Sequence, residues 1–413
     1  MKKTFLLFLS AILCMAAGCS TVIPDDGDNE RKDIPLSTKQ GEYVAAGNDF
    51  AYRFIARIDE NALTEGKTEW FVSPLSLQFA LGLLLSAAKE QTADEICRTL
   101  GYGSGETAGV NDWCKLMLDY LPRLDKKTEL SIADALFVKQ GITLKAPYVD
   151  IVNQYYSATI ENLDFHQVDA STKYINDWCS KQTKGMIPKV IDQVSPAMLA
   201  YLINALYFKS EWQEKFPKGS TSEEEFTEEG GKTGKVKMMK LDGKNFPYGE
   251  TDKYQVIRLP YGNGAFEMTV FLPQKGTTVH ELTALLEKEK PSFLQTRSTE
   301  VDLWLPKFET NYHVKLNGIL SDMGMPGSFR PGADFTAMSD LADYVSFVTQ
   351  DAAIKVDEEG TEAAAVTVIG MFETTSIGGT PRKAVFHADH PFLYLITETS
   401  TGAILFAGKY AGK

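Results

Sequence analysis

Reactive side chains are scarce in this chain, which has five cysteines and five histidines among 413 residues. The cysteines show no CxxC spacing, so neither a zinc site nor a dithiol redox motif is indicated. There is no Gly-x-Ser-x-Gly elbow, no phosphate loop of the Walker type and no HExxH helix. His387 and His390 form the one close histidine pair. Three-residue spacing in a strand sends them to opposite faces, which argues against a shared metal. His166, His280 and His313 are isolated. Gly101-Tyr102-Gly103-Ser104-Gly105 follows a helix-like stretch rather than a strand, so it reads as a turn and not a phosphate cradle. No catalytic centre, cofactor or metal is expected, and the chain does not read as an enzyme. Positive charge is also short, with 42 Lys and Arg against 55 Asp and Glu. Without the first 18 residues, which hold Lys2 and Lys3 and no acid, the balance is 40 against 55, or −15. That balance excludes nucleic acid, heparin and anionic lipid headgroups as expected partners.

What is present is an ordinary globular mixture, 44% hydrophobic and 23% charged, with enough apolar residues for one large core. Residues 1–18 have the form of a signal peptide: Lys2-Lys3, an apolar run from Phe5 to Met15, then small residues. Ala16-Ala17-Gly18-Cys19 resembles a bacterial lipobox, with Ala16 in place of the usual leucine. Lipidation of Cys19 is expected, with ordinary secretion as the alternative. Residues 19–41, polar and punctuated by Pro24, Gly27 and Pro35, read as a flexible tether. Residues 42–413 then form one domain. With Cys14 and Cys19 set aside, Cys97, Cys114 and Cys179 are an odd set in apolar, helix-like contexts and are expected as buried thiols.

Along that domain, Glu42 to Asp59 has helical periodicity. Trp70 to Val72 is a short strand running into a helix opened by Ser73-Pro74-Leu75-Ser76. Leu77 to Leu85 is apolar almost all round and must be deeply buried. Ile132–Val138 is strand-like, and helical stretches run through Tyr148–Tyr156 and Thr172–Lys181. Leu202-Ile203-Asn204-Ala205-Leu206-Tyr207-Phe208 reads as a strand buried on both faces. Lys209, Trp212 and Phe216 follow it. Glu223–Lys235 reads as a charged, solvated loop, and Gly262-Asn263-Gly264 as a hairpin turn. Two β-rich runs, Phe386–Leu393 and Thr401–Gly408, close the chain.

The segment Glu358-Glu359-Gly360-Thr361-Glu362-Ala363-Ala364-Ala365-Val366-Thr367 begins acidic and turns abruptly small. Periodicity alone favours a helix start with Thr361 as N-cap and an alanine run behind it. Read instead as a strand, Thr361, Ala363, Ala365, Thr367 and Ile369 share one face, and the first four are small. The segment resembles the hinge of the reactive centre loop of inhibitory serpins, which favours the strand. Ser73-Pro74-Leu75-Ser76, the Asn176…Trp178…Thr183…Gly185…Ile187 run, Tyr207-Phe208-Lys209…Trp212…Phe216, Leu305-Pro306-Lys307-Phe308 and the C-terminal runs are similar to serpin motifs in the same order.

The resemblance covers about residue 42 to the end and implies an α+β serpin fold, with about nine helices, three β-sheets and an exposed reactive centre loop at about 358–381. It implies a suicide-substrate inhibitor of serine endopeptidases, with papain-like cysteine proteases as a further class. The target would form a covalent 1:1 acyl complex with a monomeric inhibitor. The alternative is a non-inhibitory serpin-fold protein with a binding or structural role. The implied hinge is Glu359, Gly360, Thr361, Glu362, Ala363, Ala364, Ala365, Val366 and Thr367, waiting in solvent from Thr361 onward. The family spacing puts the reactive bond at Thr374–Thr375, with Glu373–Thr374 as the alternative. Ser73, Ser76 and Asn204 match the family's shutter beneath the main sheet, where Gln350 replaces the usual histidine. Trp212 matches the breach tryptophan. The implied location is that of an exported lipoprotein at the outer membrane or cell surface, or else the extracellular medium. Nothing basic lies between Lys355 and Arg382, so a protease that requires Lys or Arg is a poor target.

Overall fold

The computed structural model describes residues 29–290, 296–341, 344–345, 348–361 and 383–412. Eight α-helices and fifteen strands occur among them. Folded chain starts earlier than the tether reading allows. Asn29 bridges to Asp125 and to the Lys126 amide, and Ile34 is buried. Ser37 then caps α1 (Thr38–Thr64), exchanging hydrogen bonds with Gln40 in a capping box.

Trp70–Val72 forms β1, and α2 (Pro74–Ala87) begins at once, with Pro74 in its first turn and the Ser73 hydroxyl accepting the Ser76 amide. Almost every residue of α2 is buried, as its apolar circumference requires. Around it lie α3 (Glu90–Leu100), α4 (Thr107–Tyr120) and α5 (Ala146–Ile151), the last running into a five-residue π-helical turn to Tyr156. Cys97, Cys114 and Cys179 are buried free thiols.

A six-stranded sheet covers α2. Its core pair is β2 (Glu129–Lys139) against β4 (Ala200–Glu211), antiparallel over ten residue pairs. Outside β2 lies β3 (Thr159–Leu163), and α6 (Val168–Gln182) packs across the outer face. Tyr201, Ile203 and Ala205 pack with Ile175 and Cys179 of α6, while Phe208 belongs to the main core. The apolar run of β4 is thus explained by burial on both faces.

A nine-stranded sheet contains the rest of the β-structure. It joins β5 (Ser222–Thr227), β6 (Thr233–Glu250), β7 (Tyr254–Tyr261) and β8 (Phe266–Pro273). After α7 (Val279–Glu289) come β9 (Arg297–Pro306) and, in the other sheet, β10 (Phe308–Lys315), followed by α8 (Asn317–Met323). The two smaller sheets expected from the sequence run together through β6, whose eighteen residues pair in turn with β5, β9 and β7. The stretch read as a solvated loop is largely a β-ribbon. β5 pairs with β6 while Glu223 and Glu225 face out, and Phe226 is buried against Tyr410. One buried aromatic per ribbon is too weak a periodic signal to read from the sequence.

The six-stranded sheet is completed by β11 (Thr349–Val356), beside β10, and by the two-residue β12 (Gly360–Thr361). Then β13 (Ala384–His387), β14 (Phe392–Glu398) and β15 (Ile404–Tyr410) return to the nine-stranded sheet. Among the described residues no helix is long and apolar enough to cross a membrane.

Candidate functional site

The site is the seam between β11 and β4. In the strand order of the sheet, β12 sits between them. Thr361 pairs with Val356 on one side and Ser210 on the other, and Gly360 pairs with Glu211. Thr361 is 3% exposed, and its hydroxyl shares a 2.6 Å hydrogen bond with the Tyr261 hydroxyl. The expectation that the small-faced segment waits in solvent from Thr361 onward is therefore corrected at its first residue. Thr361 is already seated, because Tyr261 and the edges of β4 and β11 satisfy its hydroxyl and backbone together. Hinge residues Glu362, Ala363, Ala364, Ala365, Val366 and Thr367 lie outside the described residues. So does the expected reactive bond at Thr374–Thr375, with its alternative at Glu373–Thr374, and so does Cys19.

The turn that delivers β12 is tight. Asp357 N donates to Gly360 O at 2.9 Å, and Gly360 N donates back to Asp357 O at 3.3 Å. A Cβ on Gly360 would stand 2.1 Å from the Ser210 carbonyl oxygen and 2.7 Å from the Glu211 Cα, so only glycine lets the turn lie against β4. Both glutamates of the turn are pinned, not free. Glu359 bridges Lys215 at 2.8 Å and Lys218 at 2.9 Å. Glu358 meets Lys307 at 2.9 Å and accepts from the Thr221 hydroxyl at 2.8 Å. Lys215, then Lys218, holds the Glu359 carboxyl below its ordinary range. Burial pushes Glu358 up, but Lys307, the backbone and Thr221 outweigh it, and the net shift is downward.

Trp212 organises this end of the seam. Its indole N–H donates to Asp357 O at 2.9 Å, its backbone N–H donates to Glu359 O at 2.8 Å, and its ring stacks on Tyr261 with centroids 4.5 Å apart. Trp212, expected at the breach, thus touches the turn directly. The sequence reading gave no site role to Tyr261, Ser210, Lys215, Lys218 or Lys307, whose partners in the turn and β12 lie 51 to 151 positions further along the chain.

Deeper along the seam, the four expected shutter residues divide into two groups. Gln350 of β11 clasps the start of α2: its Oε1 accepts from Ser73 N at 2.9 Å and its Nε2 donates to Ser73 O at 2.9 Å. Ser73 Oγ donates to Leu405 O at 2.7 Å and accepts from Ser76 N. Asn204 does not join this cluster. It donates from Nδ2 to Asp134 Oδ1 of β2 at 2.8 Å, because the direct register of β2 and β4 sets the two side chains face to face. Between β4, β11 and α2 lies a cavity of about 360 Å³, lined by Leu81, Leu202, Asn204 and Gln350 among others. His387 and His390 have separate partners: His387 stacks on Trp304, and His390 contacts Asp389 and the Pro273 carbonyl.

Comparison with known proteins fits this geometry. A family model described as Serpin (serine protease inhibitor) matches residues 45–412. Serpin B3 of Homo sapiens is 32% identical over 365 residues, covering 83% of this chain and 93% of that protein. A serpin-like protein of Thermococcus kodakarensis is 30% identical over 429 residues, covering 99% and 98% of the two chains. Among solved structures, the thermophilic serpin tengpin in its native state superposes with a TM-score of 0.80 at 27% identity, covering 93% of this chain and 97% of that one. Thyroxine-binding globulin, solved with thyroxine, superposes with a TM-score of 0.78 at 25% identity over 90% and 100%.

Proposed function

The chain belongs to the serpin family, and on that premise we propose that it inhibits serine endopeptidases as a suicide substrate. A target protease attacks the carbonyl of Thr374 and releases the Thr375 amine, or does the same one bond earlier at Glu373–Thr374. The freed segment continues β12 into the seam and carries the acylated protease with it before the ester is hydrolysed. The inhibitor acts without turnover, as a monomer, through a covalent 1:1 complex.

The observation that carries this reading is the seating of Thr361. Strand growth needs a nucleus, and the first rung is in place with its side chain facing the core. Continued in the same register, Ala363, Ala365 and Thr367 would lie opposite Phe208, Leu206 and Asn204 on the inner face, and Met371 would reach Ala200 at the end of β4. Small residues fit above α2, and the cavity there supplies room. On the outer face Glu362 would fall between Lys209 of β4 and Lys355 of β11. Neither lysine has a carboxylate partner among the described residues, so Glu362, the one charged residue between Thr361 and Met371, would meet two cations.

The mature chain is proposed to be anchored through lipid on Cys19 and displayed at a bacterial outer membrane or cell surface. Mass measurement of the mature N-terminal peptide tests this. For inhibition, the chain is mixed with elastase-, chymotrypsin- and subtilisin-like proteases. A denaturation-resistant complex on a gel, with a released C-terminal peptide that begins at Thr375 or Thr374, is the expected result. Cleavage without a complex would place the chain with the non-inhibitory members of the family.

A further inference from the structure

Asp134 of β2 and Asn204 of β4 stand directly opposite one another beneath the centre of the six-stranded sheet. They are joined by one hydrogen bond, Asn204 Nδ2 to Asp134 Oδ1 at 2.8 Å. The other arm of each fork, Asp134 Oδ2 and Asn204 Oδ1, is buried with no hydrogen-bond partner. If Asp134 were ionised, both of these arms would be acceptors, and a buried charge would be held by a single bond. Among the described residues no cation offsets it: burial and the Asn204 amide are what act on the carboxyl. The titratable groups that feel its charge are Cys114 of α4, Tyr148 of α5 and Tyr156 of the turn after α5. All three are acids pushed upward by burial, so none can supply a countercharge.

We propose that Asp134 carries a proton on Oδ2 and donates it to Asn204 Oδ1, closing a two-bond acid–amide ring that locks β2 to β4 and opens when the proton is lost. One proton satisfies both orphaned oxygens and removes the buried charge. Gln350 of β11, in the place where the family's titratable shutter side chain is expected, cannot sense pH, so the sensor in this chain sits on β2, on the far side of β4.

Burial pushes Asp134 from its ordinary 3.8 up to about 6. A carboxyl raised on folding favours the folded form in acid, and that advantage fades as pH climbs from about 4 through about 6. The lock is therefore closed at pH 5 and open at pH 7.5. This holds whether or not the chain inhibits a protease, so its test needs none.

The test uses the intact, uncleaved protein and Asp134→Asn, which rebuilds the ring with an amide N–H and cannot ionise. Infrared spectra of protein labelled with ¹³C-aspartate should show a protonated-carboxyl stretch at pH 5 that vanishes with a midpoint near 6 and is missing from the variant. The melting temperature of the unsubstituted chain should fall relative to Asp134→Asn between pH 5 and 7.5. Absence of the protonated stretch at pH 5, or melting curves that run parallel for both proteins across that range, would overturn the proposal. Burial also raises Asp351, so should Asp134→Asn fail to fold, the infrared titration is repeated on Asp351→Asn, where a band that persists at pH 5 and vanishes near 6 supports Asp134 and loss of the band overturns the proposal.

Discussion

Replacing Thr361 with arginine strikes the first rung of the proposed insertion. Thr361 is 3% exposed, enclosed between Val356 and Ser210, with its hydroxyl on Tyr261. A guanidinium there would lose water without gaining a carboxylate, and an unpaired buried charge costs about 3–5 kcal/mol. The chain would avoid that cost by leaving β12 out of the seam, so the cost is transferred to the step that must bring it in. If about 3 kcal/mol of it appears in the insertion barrier, entry slows by more than about 100-fold, since about 1.4 kcal/mol is tenfold in rate. Insertion competes with deacylation, so such a change converts an inhibitor into a substrate. The assay is a titration of protease with the purified variant, reading residual activity and the denaturation-resistant complex on a gel. The expected result is full loop cleavage with little complex. Complex at the stoichiometry of the unsubstituted chain would refute the reasoning, because a charge that enters the seam freely means that the inward face is not sealed.

Three further outcomes follow from the same geometry. Gly360→Ala puts a Cβ 2.1 Å from the Ser210 carbonyl oxygen, so the turn must retreat and unseat Thr361; amide exchange at Asp357 to Thr361 should speed up while the rest of the sheet stays protected. Gln350→Leu leaves the buried Ser73 N–H without a partner, at about 1–3 kcal/mol, while the Ser73 carbonyl keeps the Leu77 amide; the uncleaved form should melt lower, and an unchanged melting point would mean that the Ser73 N–H finds another partner. Glu358 and Glu359 are held below their ordinary range, so what they add to stability is present above about pH 4.5 and is lost as pH falls through their lowered values; protection of the turn amides, taken relative to intrinsic exchange at each pH, should fall below about pH 4 in the unsubstituted chain and change little when Lys215, Lys218 and Lys307 are all replaced by alanine.

Local chemistry made much of this fold legible in the sequence. Ser73-Pro74 announces a capped helix and the unbroken apolar run of β4 announces burial on two faces, whereas at Thr361 periodicity alone favours a helix and only the family resemblance points to the strand that Gly360 and Thr361 form. What stayed hidden depends on pairing across the chain. Nothing near Glu358 in sequence predicts Lys307, and nothing near Asp134 predicts Asn204, because register between strands is fixed only once the sheet assembles. Asn204 shows the limit most clearly: family resemblance sends it to the serines and Gln350, whereas the direct opposition of β2 and β4 gives it to Asp134. The seating of Thr361 was hidden for the same reason, since Tyr261, which satisfies its hydroxyl, lies 100 residues upstream.

The central claim is that the segment from Thr361 onward is more stable inside the six-stranded sheet than outside it. The most direct test is to melt the protein before and after a single cut in the loop near Thr374, with both fragments retained. The account predicts a marked rise in melting temperature on cleavage. An unchanged or lower melting temperature would contradict it.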